Sequence, residues 1–279
     1  MKILVAGAGI AGSVFTRMAR ERGHEVTLTD PEPHRAASRC AYAYLRTAWF
    51  KGEDRPRVRE ALGWYEARGW LITRQADVWD ARSGRPFRTQ EDHILVSPRG
   101  PLLKADAAWG LTGYSDGPGG VLASLGPEQI PADAHHLVLA CGAGMTSYTY
   151  GTPVYGGVFE CDGYPLARPL KVYRITDRLS HVVAYDGSVT RTAASKGRNP
   201  GEARSRSEKI LELMMDAGMV TSTRRWTYRA GVRWSWFDGG PAALPLSPHV
   251  WALTGFARNG YALVPSYART LLDKLEAGG

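Results

Sequence analysis

The strongest constraint on this chain lies in its first thirty residues. Ile3-Leu4-Val5-Ala6 runs into Gly7-Ala8-Gly9-Ile10-Ala11-Gly12, and Val26-Thr27-Leu28-Thr29 leads to Asp30. An apolar run, an amphipathic stretch through Arg22, and a second apolar run predict strand, helix, strand, and hence a parallel sheet. Gly23 stands where a helix ends in a left-handed residue. Each glycine of the motif has its own reason. Gly7 permits the tight turn, Gly9 lets backbone approach a pyrophosphate, and Gly12 lets helix and strand pack closely. The helix N-terminus presents N–H groups and the positive end of its dipole, and Asp30 is spaced to bind a ribose. Gly7, Gly9, Ile10, Ala11, Gly12 and Asp30 therefore read as a dinucleotide site. By themselves they do not separate a flavin from a nicotinamide dinucleotide.

Composition sets the frame for that site. With 279 residues, 44% hydrophobic and 22% charged, the chain suits one or two closely joined globular domains rather than a disordered or coiled-coil protein. No apolar run approaches the roughly twenty residues of a membrane span, and a strand begins at Lys2 with no leader-like segment before it, so a soluble cytoplasmic protein is expected. Cys40, Cys141 and Cys161 lack metal-type spacing and read as free thiols. The seven His, His135-His136 included, show no ligand spacing, and no metal is expected. The net charge of +8 is concentrated between Arg168 and Arg233, where fourteen Lys and Arg face six Asp and Glu. Such a region is either a solvated surface or a footprint for an anionic partner such as nucleic acid.

Further along, residues 54 to 70 and Glu202 to Ala217 have helical periodicity, His135 to Ala140 and Val250 to Thr254 read as buried strands, and Pro265 to Leu275 reads as a closing helix with proline at its start. Lys171 to Thr192 reads as strands with a turn at Asp186-Gly187, forming a separate antiparallel layer.

Four later segments sharpen the cofactor. They are Arg35-Ala36-Ala37-Ser38-Arg39-Cys40-Ala41; Leu137-Val138-Leu139-Ala140-Cys141-Gly142-Ala143-Gly144; Gly231-Val232-Arg233 with Asp238-Gly239-Gly240-Pro241; and Thr254-Gly255-Phe256-Ala257-Arg258-Asn259-Gly260-Tyr261-Ala262-Leu263-Val264-Pro265. In this order, with the first motif, they resemble the D-amino-acid oxidase and glycine oxidase superfamily along the whole chain. Three departures stand out: Cys141 replaces the usual Thr, Trp234 replaces the Pro after Gly-x-Arg, and the chain is short for the superfamily, which implies a smaller cap over the site.

The resemblance implies an α/β fold, with a FAD-binding Rossmann-like domain from residues 1–75, 131–165 and 226–279 and a smaller antiparallel-sheet substrate domain from 76–130 and 166–225. It implies FAD as cofactor, with Ser38, Arg39, Ala140, Gly142, Gly255, Arg258, Asn259, Gly260 and Tyr261 completing its site. Arg233 would clamp a substrate carboxylate, Arg258 would face the ring or a second anion, and Tyr185, Tyr173 or His181 would supply a substrate contact. The implied reaction is oxidation of the C–N bond of a glycine-like amino acid or carboxylate-bearing amine, by hydride transfer to flavin and imine hydrolysis, with molecular oxygen as acceptor. The basic region adds a variant in which the amine is carried on a modified DNA base, as in glycine oxidase-like enzymes of bacterial viruses. Against these stand a nicotinamide-dependent reductase and a non-catalytic flavin- or nucleic-acid-binding module. Trp226, Trp234 and Trp236 would either stack bases or fill a sheet core.

Overall fold

The structure, a computed structural model, describes residues 1–30, 37–87, 93–106, 134–142, 151–176, 180–236 and 240–278. Its first sheet holds β1 (Lys2–Ala6), β2 (Glu25–Thr29), β7 (His136–Leu139), β13 (Ala242–Ser247) and β14 (Val250–Thr254), in the order β13-β14-β7-β1-β2. All neighbours pair in parallel except β13, which pairs antiparallel with β14 at the edge. Period-two alternation divides β1 between two cores. Ile3 and Val5 pack beneath the helices α1 (Ile10–Glu21), α2 (Asp54–Glu66) and α4 (Gly260–Ala277), whereas Leu4 and Ala6 join Leu137, Leu139 and Ala252 on the opposite face. Helix α1 ends as its sequence requires: Gly23 has φ of +81° and its N–H reaches the Arg20 carbonyl.

The second sheet has six strands in the order β12-β8-β11-β10-β9-β5, namely β5 (Asp77–Asp80), β8 (Gly151–Asp162), β9 (Leu170–Arg174), β10 (Ser180–Tyr185), β11 (Val189–Gly197) and β12 (Thr227–Trp236). It is antiparallel apart from the β5–β9 pair. Helix α3 (Pro200–Asp216), started by Pro200 and by Asn199 accepting the Glu202 N–H, covers one face through Leu211 and Met214 against Phe159 and Val183. The other face, with Val172, Val182 and Ala184, packs against Leu95 and Tyr44 of a small third sheet of β3 (Tyr44–Arg46), β6 (His93–Val96) and β4 (Leu71–Thr73).

Two expectations are corrected. Strands β8 and β12, placed by sequence with the nucleotide-binding unit, pair with each other within the six-stranded sheet, along ten consecutive partners from Thr227↔Glu160 to Trp236↔Gly151. Pro265 lies inside α4, not at its start, because the helix already begins at Gly260 after the turn set by Gly255 (φ +82°) and Ala257 (φ +44°). No helix among the described residues is long and apolar enough to cross a membrane. Trp226 belongs to the core beneath α3 and donates its indole N–H to the Thr221 carbonyl. The Trp234 and Trp236 side chains, Arg35, Ala36, Ala143, Gly144, Asp238 and Gly239 lie outside the described residues.

Candidate active site

The glycine turn is held by steric necessity. Gly7 has φ of +107°, and a Cβ there would lie 2.5 Å from the Ala140 carbonyl oxygen at the end of β7. A Cβ at Gly12 would lie 1.8 Å from the Gly7 carbonyl oxygen, so α1 seats on the turn only as glycine. The Ala8 N–H donates to Asp30 Oδ2 at 2.6 Å, tying the turn to the end of β2. Gly9 caps α1 without a side-chain bond, and no acid occupies the first turn. No side chain of the helix itself caps its first N–H groups, and Ser38 from outside it accepts the Ile10 N–H.

Ser38 joins this turn to the rest of the molecule. Its Oγ accepts the Ile10 N–H at 2.9 Å, and its carbonyl oxygen lies 2.9 Å from the Tyr261 hydroxyl at the start of α4. That hydroxyl also lies 2.5 Å from the Pro98 carbonyl, and burial pushes its pKa up, so it is a fixed donor and not a base. Gly260 adds a close approach: a Cβ there would meet Ile10 Cγ2 at 2.8 Å. Next to Ser38, Ala37 Cα would stand 2.8 Å from a Cβ on Gly231, and the Cys40 thiol points at the Ala230 carbonyl at 2.9 Å. The 37–40 turn therefore fastens β12 to the N-terminus of α1. Burial raises the pKa of Cys40, which leaves it a protonated packing residue. Cys141 donates to the Ala6 carbonyl at 3.2 Å, a role open equally to a Thr hydroxyl.

Register then places Arg233. Residues two apart on a strand share a face, so Gly231 and Arg233 both face the 37–40 turn. Gly156, opposite Gly231 on β8, leaves the space that the guanidinium uses, since a Cβ there would lie 3.5 Å from Arg233 Cζ. Arg233 is half-buried and has no acidic partner among the described residues. Burial lowers its pKa, the Cys40 thiol and Tyr42 hydroxyl act in the opposite sense, and the charge of Arg258 lowers it further. Arg258 is thus a second positive charge within electrostatic reach of Arg233, which has no carboxylate partner among the described residues, an arrangement that favours an anion.

The same face carries residues that the sequence did not single out. Arg191 is 2% exposed; its Nε donates to Glu160 at 2.8 Å and its Nη1 to Asp186 at 2.6 Å, while Arg229 reaches the other Glu160 oxygen at 3.2 Å. The Tyr42 hydroxyl accepts the Ala194 N–H at 2.6 Å, beside a bulge in β11 where Ala193 has φ of +53°. Gly156-Gly157 inside a strand was the available signal, because glycine there marks a close approach.

The remaining candidates divide clearly. Ala140, Asp30, Ser38, Gly260 and Tyr261 gather around the glycine turn, while Gly142 (φ +55°), Asn259 before α4 and the exposed Arg258 sit on the turns that follow β7 and β14. Arg39 donates to the Leu103 carbonyl at 3.2 Å. Tyr185, Tyr173 and His181 do not join Arg233. Their strand positions alternate with Val182, Ala184 and Val172, so all three fall on the α3 side of the sheet. The Tyr185 hydroxyl donates to Gly187 in its own hairpin and the Tyr173 hydroxyl to Met219. Tyr185 aligns through Thr190 with Cys161, seven residues along β8 from the partner of Arg233, or about 23 Å.

Solved structures share the fold of this chain. No family model and no curated protein matches the sequence. Among solved structures, the chain is similar to iminodiacetate oxidase from a Chelativorans species, with TM-score 0.73 and 14% identity over 99% of this chain and 95% of that one. Glycine oxidase from Bacillus cereus matches with TM-score 0.68 and 15% identity over 100% and 95%. L-Proline dehydrogenase from P. horikoshii matches with TM-score 0.66 and 12% identity over 99% and 93%. The chain has the α/β fold of these oxidoreductases, at nearly their full extent.

Proposed function

We propose that the protein is a FAD-dependent enzyme that oxidises the C–N bond of a small amine bearing a carboxylate. The observation that carries this reading is Arg233: a half-buried guanidinium without an acidic partner, on the sheet face that the 37–40 turn fastens to a dinucleotide-type glycine turn. Glycine, proline and iminodiacetate, the compounds named for the three similar structures, each combine an amine nitrogen with a carboxylate. Bound FAD supplies a hydride acceptor, and molecular oxygen is the proposed final acceptor.

The residues present fit that cofactor. Gly7, Gly9 and the first turn of α1, with Ile10, Ala11 and Gly12, would hold the pyrophosphate, and Asp30 the ribose. Ser38, Ala140 and Gly142 would flank it, and the segment from Gly255 to Tyr261 would line the ring. Arg233 would bind the substrate carboxylate through two parallel N–H donors, which fixes the orientation of the α-carbon. The half-buried setting strengthens that bond by excluding water. Arg258 would add positive potential on the same side.

A DNA-borne amine is the weaker reading. Arg204 and Arg206 pair with Glu208 and Glu202 on α3, and Arg191 and Arg229 share Glu160, so these four cations are already engaged with acids. Exposed Arg224 and Arg225 are the cations that a phosphate backbone would use.

Arg233→Ala and Arg233→Lys in the FAD-loaded enzyme test the proposal. Both are expected to raise the KM for a carboxylate-bearing amine by about a hundredfold, with lysine restoring little because it has no planar fork, and with flavin content held at the wild-type level. Wild-type KM and kcat in both variants would contradict it.

A further inference from the structure

Arg233 does not stand alone on its face. Gly156 on β8 lies between two neighbours: Gly231 of β12 on one side and Lys196 of β11 on the other. Lys196 follows Ser195, whose hydroxyl turns towards α3 to donate to the Ala203 carbonyl, so Lys196 occupies the opposite face, that of Arg233. The two assignments support each other, because a Cβ on Gly157 would strike Tyr228 on the α3 side while one on Gly156 would approach Arg233. Directly paired residues on one face have Cβ positions about 5 Å apart. Lys196 pairs with Gly156 and Arg233 with Val154, two residues away along β8, so the exposed Lys196 and the Arg233 guanidinium, which reaches over Gly156, share one face two strands apart.

Neither cation has an acidic partner among the described residues, and Arg258 is the further positive charge that Arg233 senses. The acids of this face are committed elsewhere: Glu160 holds Arg191 and Arg229, and Asp186 holds Arg191. Glu202, at the start of α3, accepts the Arg198 N–H and pairs with Arg206. One monocarboxylate saturates the fork of Arg233 and leaves Lys196 unmatched. Two cations on one sheet face, separated by a strand that is bare at Gly156, favour a ligand with more than one negative group.

We infer that the substrate is an amine carrying two anionic groups, one on Arg233 and the second on Lys196 across Gly156. This rests on the proposed function for the first anion and adds the specificity for the second. A flexible lysine at the edge suits the second role. It places a point charge without fixing geometry, while the planar guanidinium orients the reacting end.

The test uses two unreactive ethers of similar shape, diglycolate with two carboxylates and methoxyacetate with one, titrated calorimetrically into the FAD-loaded protein. Diglycolate is expected to bind about tenfold more tightly than methoxyacetate, the size of one added charged hydrogen bond, with a steeper loss of affinity in salt. Lys196→Met is expected to bring the ratio close to one, and Lys196→Arg to keep most of it. Equal wild-type affinities, with methoxyacetate binding abolished by Arg233→Ala, would overturn the second anion and leave the proposed function standing. A preference that persists in Lys196→Met would also overturn it. Binding of neither ligand would overturn both.

Discussion

The two sheets contribute to the site by different means. The five-stranded sheet contributes backbone: Gly7 against the Ala140 carbonyl, Gly12 against the Gly7 carbonyl, and the Ala8 and Ile10 N–H groups fixed by Asp30 and Ser38. The six-stranded sheet contributes side chains: Arg233 and Lys196 around Gly156, and a buried Arg191–Glu160–Asp186 cluster further along the same face. A backbone site is specified by the absence of side chains, and any addition damages it. A side-chain site is specified by register, and its residues can be exchanged one at a time. The first should therefore fail all at once and the second by degrees.

The largest stability effect is expected at Arg191. Arg191→Met leaves Asp186 buried without its counter-charge and Glu160 with Arg229 alone, and should cost about 3–5 kcal/mol in denaturant unfolding. FAD content per folded molecule should stay normal, because the cluster makes no hydrogen bond to the glycine turn among the described residues. Loss of FAD with unchanged stability would break the comparison. Gly12→Val should act in the reverse sense. Its side chain would force α1 off the turn, at about 1–3 kcal/mol of overpacking, and FAD retention should disappear while the six-stranded sheet still folds. Retained FAD in that variant would remove the backbone site.

Acid gives an effect of about the size of Gly12→Val. Burial opposes ionisation of Asp186, but bonds from Arg191 and from the Val189 and Ser188 N–H groups outweigh it and hold its pKa at about 2, below the usual 3.8. A depressed carboxylate stabilises the fold fully above its unfolded pKa, and this contribution is lost as pH falls from about 4 to 2. The amount is about 2 kcal/mol. Unfolding midpoints measured across that range should show the loss in wild type and little of it in Arg191→Met. Parallel acid profiles would mean that the cluster contributes no such linkage.

These contrasts also explain what the sequence revealed. The glycine turn was legible because a positive φ and a forbidden Cβ admit one residue type, and Asp30 follows at a set distance. Gly231, two residues before Arg233 on β12, was legible because the Ala37 backbone requires it to be bare. Tyr185, Tyr173 and His181 misled because composition identifies a strand but not which face a residue takes, and a shift of one residue reverses it. Lys196 lies just past the bulge between Thr192 and Ser195, which breaks the simple alternation along β11. Tyr42 meets Ala194 across 152 residues, a distance that no local pattern encodes.

The central claim is that one chain brings a flavin site and a carboxylate clamp together, and the absorption spectrum of the purified protein tests it most directly. The account predicts flavin bands, present on isolation or after FAD is added, that bleach without oxygen when a carboxylate-bearing amine is supplied and return when oxygen is admitted. It also predicts that Arg233→Ala shows the bands but bleaches only at much higher amine concentration. A protein that takes up no FAD, or flavin bands that no such amine bleaches, would contradict it.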